Sequence, residues 1–293
     1  MTKFILDSGN PQEYREISHL AEQHGGMIWG STTNPTLVAK QLSGKKLTIE
    51  QAFGLQKELV LEILEIVPGA VSAEVYAKAE TKAEEMIEQG RDIASWHERV
   101  VVKLPTTLEG FKARTALREE DILTNNTLVF SQQQIFAICL HEKIVLGSKP
   151  ASPKAYPSFI SPFVGRLDDT GENGMDLVEN GMKVKALFPT VSLWMLEASV
   201  RSTEHITKGM ELGTELITAP AKAYQEYFEH TGAPAEAKEL KSVPFWEPSE
   251  ELLAIDTMDN FMKAITDGTL DITHPLTEKG IVRFAEDWKA ILS

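Results

Sequence analysis

Three short apolar runs in this chain each close on an ionisable side chain: Phe4-Ile5-Leu6 on Asp7, Val71-Ser72-Ala73 on Glu74, and Val100-Val101-Val102 on Lys103. Taken singly, an Asp or Lys at such a place is more often a solvated strand end than a reactive group. Three together suggest a shared pocket. A lysine amine that has lost its proton attacks a ketone carbon, and the resulting iminium draws electrons from a neighbouring carbon–carbon bond. Burial favours the neutral amine and nearby arginines help, whereas the two carboxylates oppose it. Asp7 and Glu74 would carry protons through carbinolamine formation, dehydration and retro-aldol cleavage, each of which needs an acid or base within hydrogen-bond reach.

Side chains alternate across a strand, so Lys103 shares a face with Val101, Asn125 with Thr127, Ser161 with Phe163 and Ser199 with Arg201. If those faces point inward, one pocket gathers an amine, carboxylates, hydroxyls and an amide. Arg166 and Arg201 could fork onto a phosphate. The competing expectation is a salt bridge from Arg166 to Asp168 or Asp169 and a bond from Arg201 to Glu204.

Such a pocket needs a scaffold that brings many strand ends together. β-rich runs at Lys3–Asp7, Met27–Ser31, Ala70–Val75, Val100–Leu104, Ile122–Val129, Phe159–Phe163, Leu193–Val200 and Glu215–Thr218 alternate with helical stretches such as Leu47–Ile66 and Lys78–Ser95. Thr48 with Gln51 and Thr106 with Glu109 have the spacing of capping boxes. Eight strand-then-helix units predict a closed (β/α)8 TIM barrel, an α/β fold whose catalytic groups stand at the carboxyl ends of the strands. A doubly wound open sheet is the alternative. One domain over 1–293 is expected, with additional C-terminal helices and with Pro-containing insertions near 140–157 and 232–271.

Composition narrows the function classes. Of 293 residues, 42% are hydrophobic and 25% charged, as in ordinary globular domains. A net charge of −14 disfavours binding to nucleic acid or to an anionic membrane surface. The one cysteine, Cys139, excludes an intrachain disulfide framework and multi-cysteine metal sites, and points to a reducing, cytoplasmic compartment. Its apolar surroundings predict packing rather than nucleophilic use. The opening apolar run is too short for a signal peptide, and no stretch approaches the ~18 apolar residues of a spanning helix. The seven histidines lack a His-Glu-x-x-His pattern, residues 169–174 have Gly171 where a calcium loop needs a ligand, and neither a G-x-G-x-x-G nor a P-loop is present. No metal and no organic cofactor is expected.

Val101-Val102-Lys103-Leu104-Pro105-Thr106-Thr107-Leu108-Glu109-Gly110 resembles the Schiff-base lysine motif of the transaldolase family. In family order, Phe4–Ser8, Thr32–Leu37, Val71–Val75, Asn125–Ser131, Ser161–Asp169, Ala198–Arg201 and Glu215–Pro220 resemble the first, second, third, fifth, sixth, seventh and eighth strand motifs. His274–Thr277 and Phe284–Trp288 resemble the C-terminus of its short-chain branch. The resemblance implies a barrel that forms an imine with a ketose phosphate and moves a dihydroxyacetone unit to an aldose phosphate. Carried over by position, Lys103 is the imine-forming amine and Asp7 the acid/base of carbon–carbon cleavage, while Glu74 and Thr127 hold a catalytic water. Asn34 and Asn125 would bond substrate hydroxyls, Ser161 the dihydroxyacetone unit, and Arg166, Ser199 and Arg201 the phosphate.

Relatives that act as fructose 6-phosphate aldolases carry Gln where Glu74 stands and Tyr where Phe163 stands, so this sequence sides with the transferases. An aldolase releasing free dihydroxyacetone and a non-catalytic phosphosugar-binding barrel are the rival readings. Tyr76, the run Trp29-Gly30-Ser31 and the long Ser131–Ser161 interval depart from the family pattern. The expected partners are small-molecule sugar phosphates and further copies of the chain in a homo-oligomer.

Overall fold

The computed structural model describes residues 2–147, 154–231 and 239–293. Strands β1 (Lys3–Asp7), β2 (Ile28–Thr32), β3 (Val71–Glu74), β4 (Val100–Pro105), β5 (Thr124–Val129), β6 (Ser158–Pro162), β7 (Leu193–Glu197) and β8 (Leu216–Ala219) pair in parallel in chain order. β8 returns onto β1 and closes the barrel, which excludes the open sheet. One side-chain set of each strand, including Leu6, Ala73, Val100, Val102 and Leu104, packs outward against the helices; the other fills the interior, where Ile5, Val101 and Phe159 are buried. Register puts Asp7 opposite Thr32, Glu74 opposite Lys103 and Lys103 opposite Asn125. The strand-ending polar residues therefore stand at one level.

At the amino ends of the strands the barrel is stopped by aromatic rings. Trp29 meets Tyr156 edge to face at 5.3 Å, and Trp194 stacks on Phe159 at 6.1 Å. The Tyr156 hydroxyl donates to the carbonyl of Arg99 at 3.0 Å, which fixes the approach to β6 at this floor.

Helix starts follow local chemistry. Thr48 and Gln51 form the expected capping box ahead of Ile49–Ile66, and Ser131 with Gln134 forms another ahead of Gln132–Leu146. Thr106 and Glu109 do not. Thr107 caps Leu108–Glu119 by accepting from the Gly110 amide, Thr106 Oγ1 reaches across to the Thr127 carbonyl at 2.9 Å, and Glu109 accepts from the Ala83 amide. Each side chain is engaged by a neighbouring unit. Other boundaries shift too. The second helical stretch begins only at Ala83, β5 starts at Thr124 because Asp121 turns the chain through a left-handed φ of 59°, and β7 stops at Glu197 rather than Val200 because Ser199 has φ 60°.

The expected insertion at 140–157 begins inside a regular element: Leu140–Leu146 are the last turns of the helix Gln132–Leu146, and residues 148–153 lie outside the described residues. Within 232–271, residues 232–238 lie outside them, and Met258–Thr266 is a helix whose Phe261 packs edge to face on Phe111. The final helix, Pro275–Lys289, crosses the carboxyl ends of the strands. Thr277 Oγ1 donates to the Leu128 carbonyl at 2.8 Å, His274 stacks on Phe130, and a Cβ at Gly280 would stand 2.6 Å from a Leu128 methyl. A side chain there would have to push that methyl aside. Among the described residues no helix is long and apolar enough to cross a membrane.

Candidate active site

A cleft of about 330 Å³ opens at the carboxyl ends of the strands. Eight of the residues singled out in the sequence line it: Asp7, Asn34, Lys103, Ser161, Phe163, Arg166, Ser199 and Arg201. Glu74, Asn125 and Thr127 are buried beside this wall rather than on it.

Lys103 projects from β4, its side chain only 4% exposed. Its Nζ donates to the Thr33 carbonyl at 3.2 Å and lies 3.3 Å from Glu74 Oε2. The Glu74 contact is an ion pair without hydrogen-bond alignment, so Oε2 has no hydrogen-bond partner among the described residues. Thr127 Oγ1 is likewise buried and unpartnered. On the other side of the lysine, Ser161 Oγ donates to Asn125 Oδ1 at 2.6 Å and Asn125 Nδ2 donates to Ser72 Oγ at 3.1 Å. That chain holds the Asn125 amide and leaves little rotational freedom at Ser161.

Both carboxyls are shifted. Burial pushes Glu74 up to about 7, against the opposing pull of Lys103 and Arg166. Burial likewise raises Asp7, with Lys103, the Thr32 hydroxyl and Arg166 working the other way. Thr32 Oγ1 donates to Asp7 Oδ1 at 2.7 Å and sits 2.6 Å from Thr218 Oγ1, which orients the carboxylate toward the cleft. A proton carrier poised near neutrality, Glu74, and a second carboxyl raised by burial, Asp7, beside one amine suit chemistry that protonates and deprotonates the same atoms in turn.

Cations gather at the other end of the cleft. The Arg166 guanidinium lies between the Phe163 and Phe284 rings, 5.1 and 5.3 Å from their centroids, with no carboxylate at ion-pair distance among the described residues. The expected pairing with Asp168 or Asp169 is absent. Asp168 Oδ2 instead meets His205 Nε2 at 2.8 Å, and Arg201 Nη2 bonds Asp169 Oδ2 at 3.0 Å. Arg201 thus has an ion pair, but with Asp169 instead of Glu204, and both of its members are half exposed. Asn34 is committed in part: its Oδ1 caps the helix Pro35–Gln41 by accepting from the Leu37 amide at 3.0 Å. Cys139 is buried in the helix Gln132–Leu146, and burial pushes its thiol up to about 12.

Sequence reasoning missed Thr32 and Thr218, which brace Asp7, and Arg283 and Phe284, which the last helix brings to the cleft wall. Thr32, Thr218 and Phe284 fall inside motifs already noted. For Arg283 the sequence carries no local signal, because the crossing of the final helix is a tertiary fact.

A family model described as Transaldolase/Fructose-6-phosphate aldolase matches residues 4–293. A probable transaldolase of Lactiplantibacillus plantarum is 35% identical over 289 residues, covering 98% of this chain and 97% of that protein. Probable transaldolases of Caldicellulosiruptor saccharolyticus and Aquifex aeolicus are 36% and 38% identical; each alignment covers 78% of this chain, and 90% and 89% of the relatives.

Proposed function

The chain belongs to the transaldolase/fructose-6-phosphate aldolase family, and on that premise we propose that it is a transferase that moves a dihydroxyacetone unit from a ketose phosphate to an aldose phosphate through an imine on Lys103. The observation that carries this reading is the buried Lys103 amine, 3.3 Å from a Glu74 carboxyl whose pKa burial brings to about 7, opening on a cleft with arginines at its far end.

Lys103 Nζ attacks the ketose C2 carbonyl and gives a carbinolamine, which loses water to an iminium. Glu74 exchanges protons at that carbon through a water held between its unpartnered Oε2 and Thr127 Oγ1. Asp7 then removes the C4 hydroxyl proton, the C3–C4 bond breaks with its electron pair flowing into the iminium, and the aldose phosphate leaves. The enamine that remains attacks the incoming aldehyde as the same steps run in reverse, and hydrolysis frees Lys103. Asn34, Asn125 and Ser161 hold the hydroxyls of the three-carbon unit, and Arg166, Ser199 and Arg201 hold the phosphate.

Phe163 cannot donate a proton, which favours handing the enamine to an acceptor aldehyde over releasing free dihydroxyacetone. Borohydride reduction in the presence of fructose 6-phosphate, followed by mass spectrometry, is expected to add a three-carbon unit at Lys103, and turnover is expected to require erythrose 4-phosphate. No adduct would favour a phosphosugar-binding barrel; turnover indifferent to the acceptor would favour an aldolase.

A further inference from the structure

The loop Ser199–Arg201 holds two of the proposed phosphate ligands in a backbone that costs energy to maintain. Ser199, not a glycine, has φ 60°. On one side the loop is fixed by Gly165, whose amide donates to the Ser199 carbonyl at 3.1 Å and whose missing Cβ would otherwise stand 2.3 Å from that oxygen. On the other side the Arg201 amide donates to His205 Nδ1 at 3.2 Å. An amide N–H can only donate, so Nδ1 must be a bare acceptor and the ring proton must sit on Nε2. That atom faces Asp168 Oδ2 at 2.8 Å, while Asp168 Oδ1 accepts from the Gly174 amide at 2.9 Å. Two hydrogen bonds and the 2.8 Å Asp168–His205 contact thus link Gly174 through Asp168 and His205 to the backbone of Arg201. The His205 and Asp168 side chains are each only 13% exposed.

We propose that Asp168 and His205 are a positioning pair: the carboxylate selects the His205 tautomer that accepts from Arg201, and so sets the loop that binds the phosphate end of the sugar. The proposal rests on the reading of Ser199 and Arg201 as phosphate ligands, and it makes the pair a determinant of selectivity for phosphorylated over unphosphorylated sugars. Neither side chain touches the reacting atoms.

Asp168→Asn tests it with almost no change of shape. Its Oδ1 keeps the Gly174 amide, so its NH2 group must face Nε2 and donate to it. The ring proton then moves to Nδ1 and confronts the Arg201 N–H. We expect the dissociation constant for inorganic phosphate, read by calorimetry, and the KM for fructose 6-phosphate to rise about tenfold, the scale of one hydrogen bond turned into an unsatisfied donor. Borohydride trapping of dihydroxyacetone at Lys103 should be unchanged, and the 15N signals of the His205 ring should switch from the Nε2–H to the Nδ1–H pattern. His205→Asn, with an amide oxygen in the place of Nδ1, should bind phosphate more tightly than His205→Phe.

Phosphate affinity within about twofold of the parent in Asp168→Asn, well short of one hydrogen bond, would overturn the proposal. So would an equal loss of dihydroxyacetone trapping, which would mark the pair as merely structural. The lysine chemistry fails separately: weakened phosphate binding in a protein that yields no Lys103 adduct upholds the pair and sinks the imine, and an adduct with unchanged phosphate affinity does the reverse.

Discussion

Two buried glutamates, each beside a cation, meet opposite fates in this barrel. Glu142, in the helix layer, accepts from Arg114 and from Arg118, whose Nη2 lies 3.0 Å away. Burial works against its ionisation, but the two guanidiniums outweigh it and hold the carboxyl below its usual range. His141, kept neutral by burial and by Arg114, completes the cluster by accepting from Arg114 at Nδ1, while its Nε2 lies 2.9 Å from the Thr115 hydroxyl. Glu74 has one cation at ion-pair distance, Lys103, with Arg166 acting from farther off, an oxygen without a hydrogen bond, and a pKa of about 7. The helix-layer carboxylate has its acceptor capacity filled and serves the α–α packing. The barrel carboxylate has capacity left over and borders a cleft, which is what a proton carrier needs.

The largest effects should separate these clusters by kind. Lys103→Ala is expected to lower kcat by about 10³-fold or more and abolish the borohydride adduct, as removal of a covalent nucleophile does. Its thermal midpoint should stay near that of the parent, because a strand-end lysine leaves no apolar cavity. An unfolded variant would mean that Lys103 is structural after all. Glu142→Ala should behave in the opposite way. Two guanidiniums are left buried without a counter-charge, at a cost of about 3–5 kcal/mol in urea unfolding, while kcat per folded molecule is retained. If that variant unfolds like the parent, the helix-layer cluster is not the structural counterpart described here.

Arg201→Ala probes the rim of the cleft, where the contrast is weaker. The side chain is half exposed and its Nη2 is paired with Asp169, so a phosphate competes with that carboxylate for the guanidinium. A rise in KM for phosphorylated acceptors worth about 2 kcal/mol is expected, with kcat little changed. An unchanged KM would take Arg201 out of the phosphate site.

Much of this arrangement was legible in the chain itself. Apolar runs stopped by Asp7, Glu74 and Lys103 reveal both the strands and the level at which their polar residues meet, because register in a parallel barrel aligns strand ends. What could not be read depends on tertiary contact. β7 ends before its apolar run does because Ser199 adopts a backbone conformation that its residue type does not announce. Thr106 looked like a cap, but the β5 carbonyl at Thr127 is a competing acceptor that only the closed sheet supplies. Arg283 enters the cleft from a helix more than a hundred residues distant in sequence from β4, and the Arg114–Glu142 cluster joins two helices whose facing sides no pattern of spacing pairs.

A third glutamate sharpens the rule. Glu197 is fully buried, both of its oxygens lack hydrogen bonds among the described residues, and burial alone raises its pKa well above the usual range. Yet it faces outward from β7 against Gly209, where a Cβ would come within 1.9 Å of Oε2, and it does not line the cleft. Spare acceptor capacity without access to substrate should be a liability and nothing more. A carboxyl raised on folding contributes stability below its unfolded pKa and loses it as pH rises toward the folded value. Glu197→Met should therefore stand closest to the parent near pH 4, and gain on it as pH rises by up to about 1.4 kcal/mol per pH unit above the unfolded pKa, until the folded pKa is reached. Turnover of fructose 6-phosphate should not move. A stability gain independent of pH would show that packing, not ionisation, sets the cost at this position, and a loss of activity would show that an unfilled carboxyl can matter at a distance from the cleft.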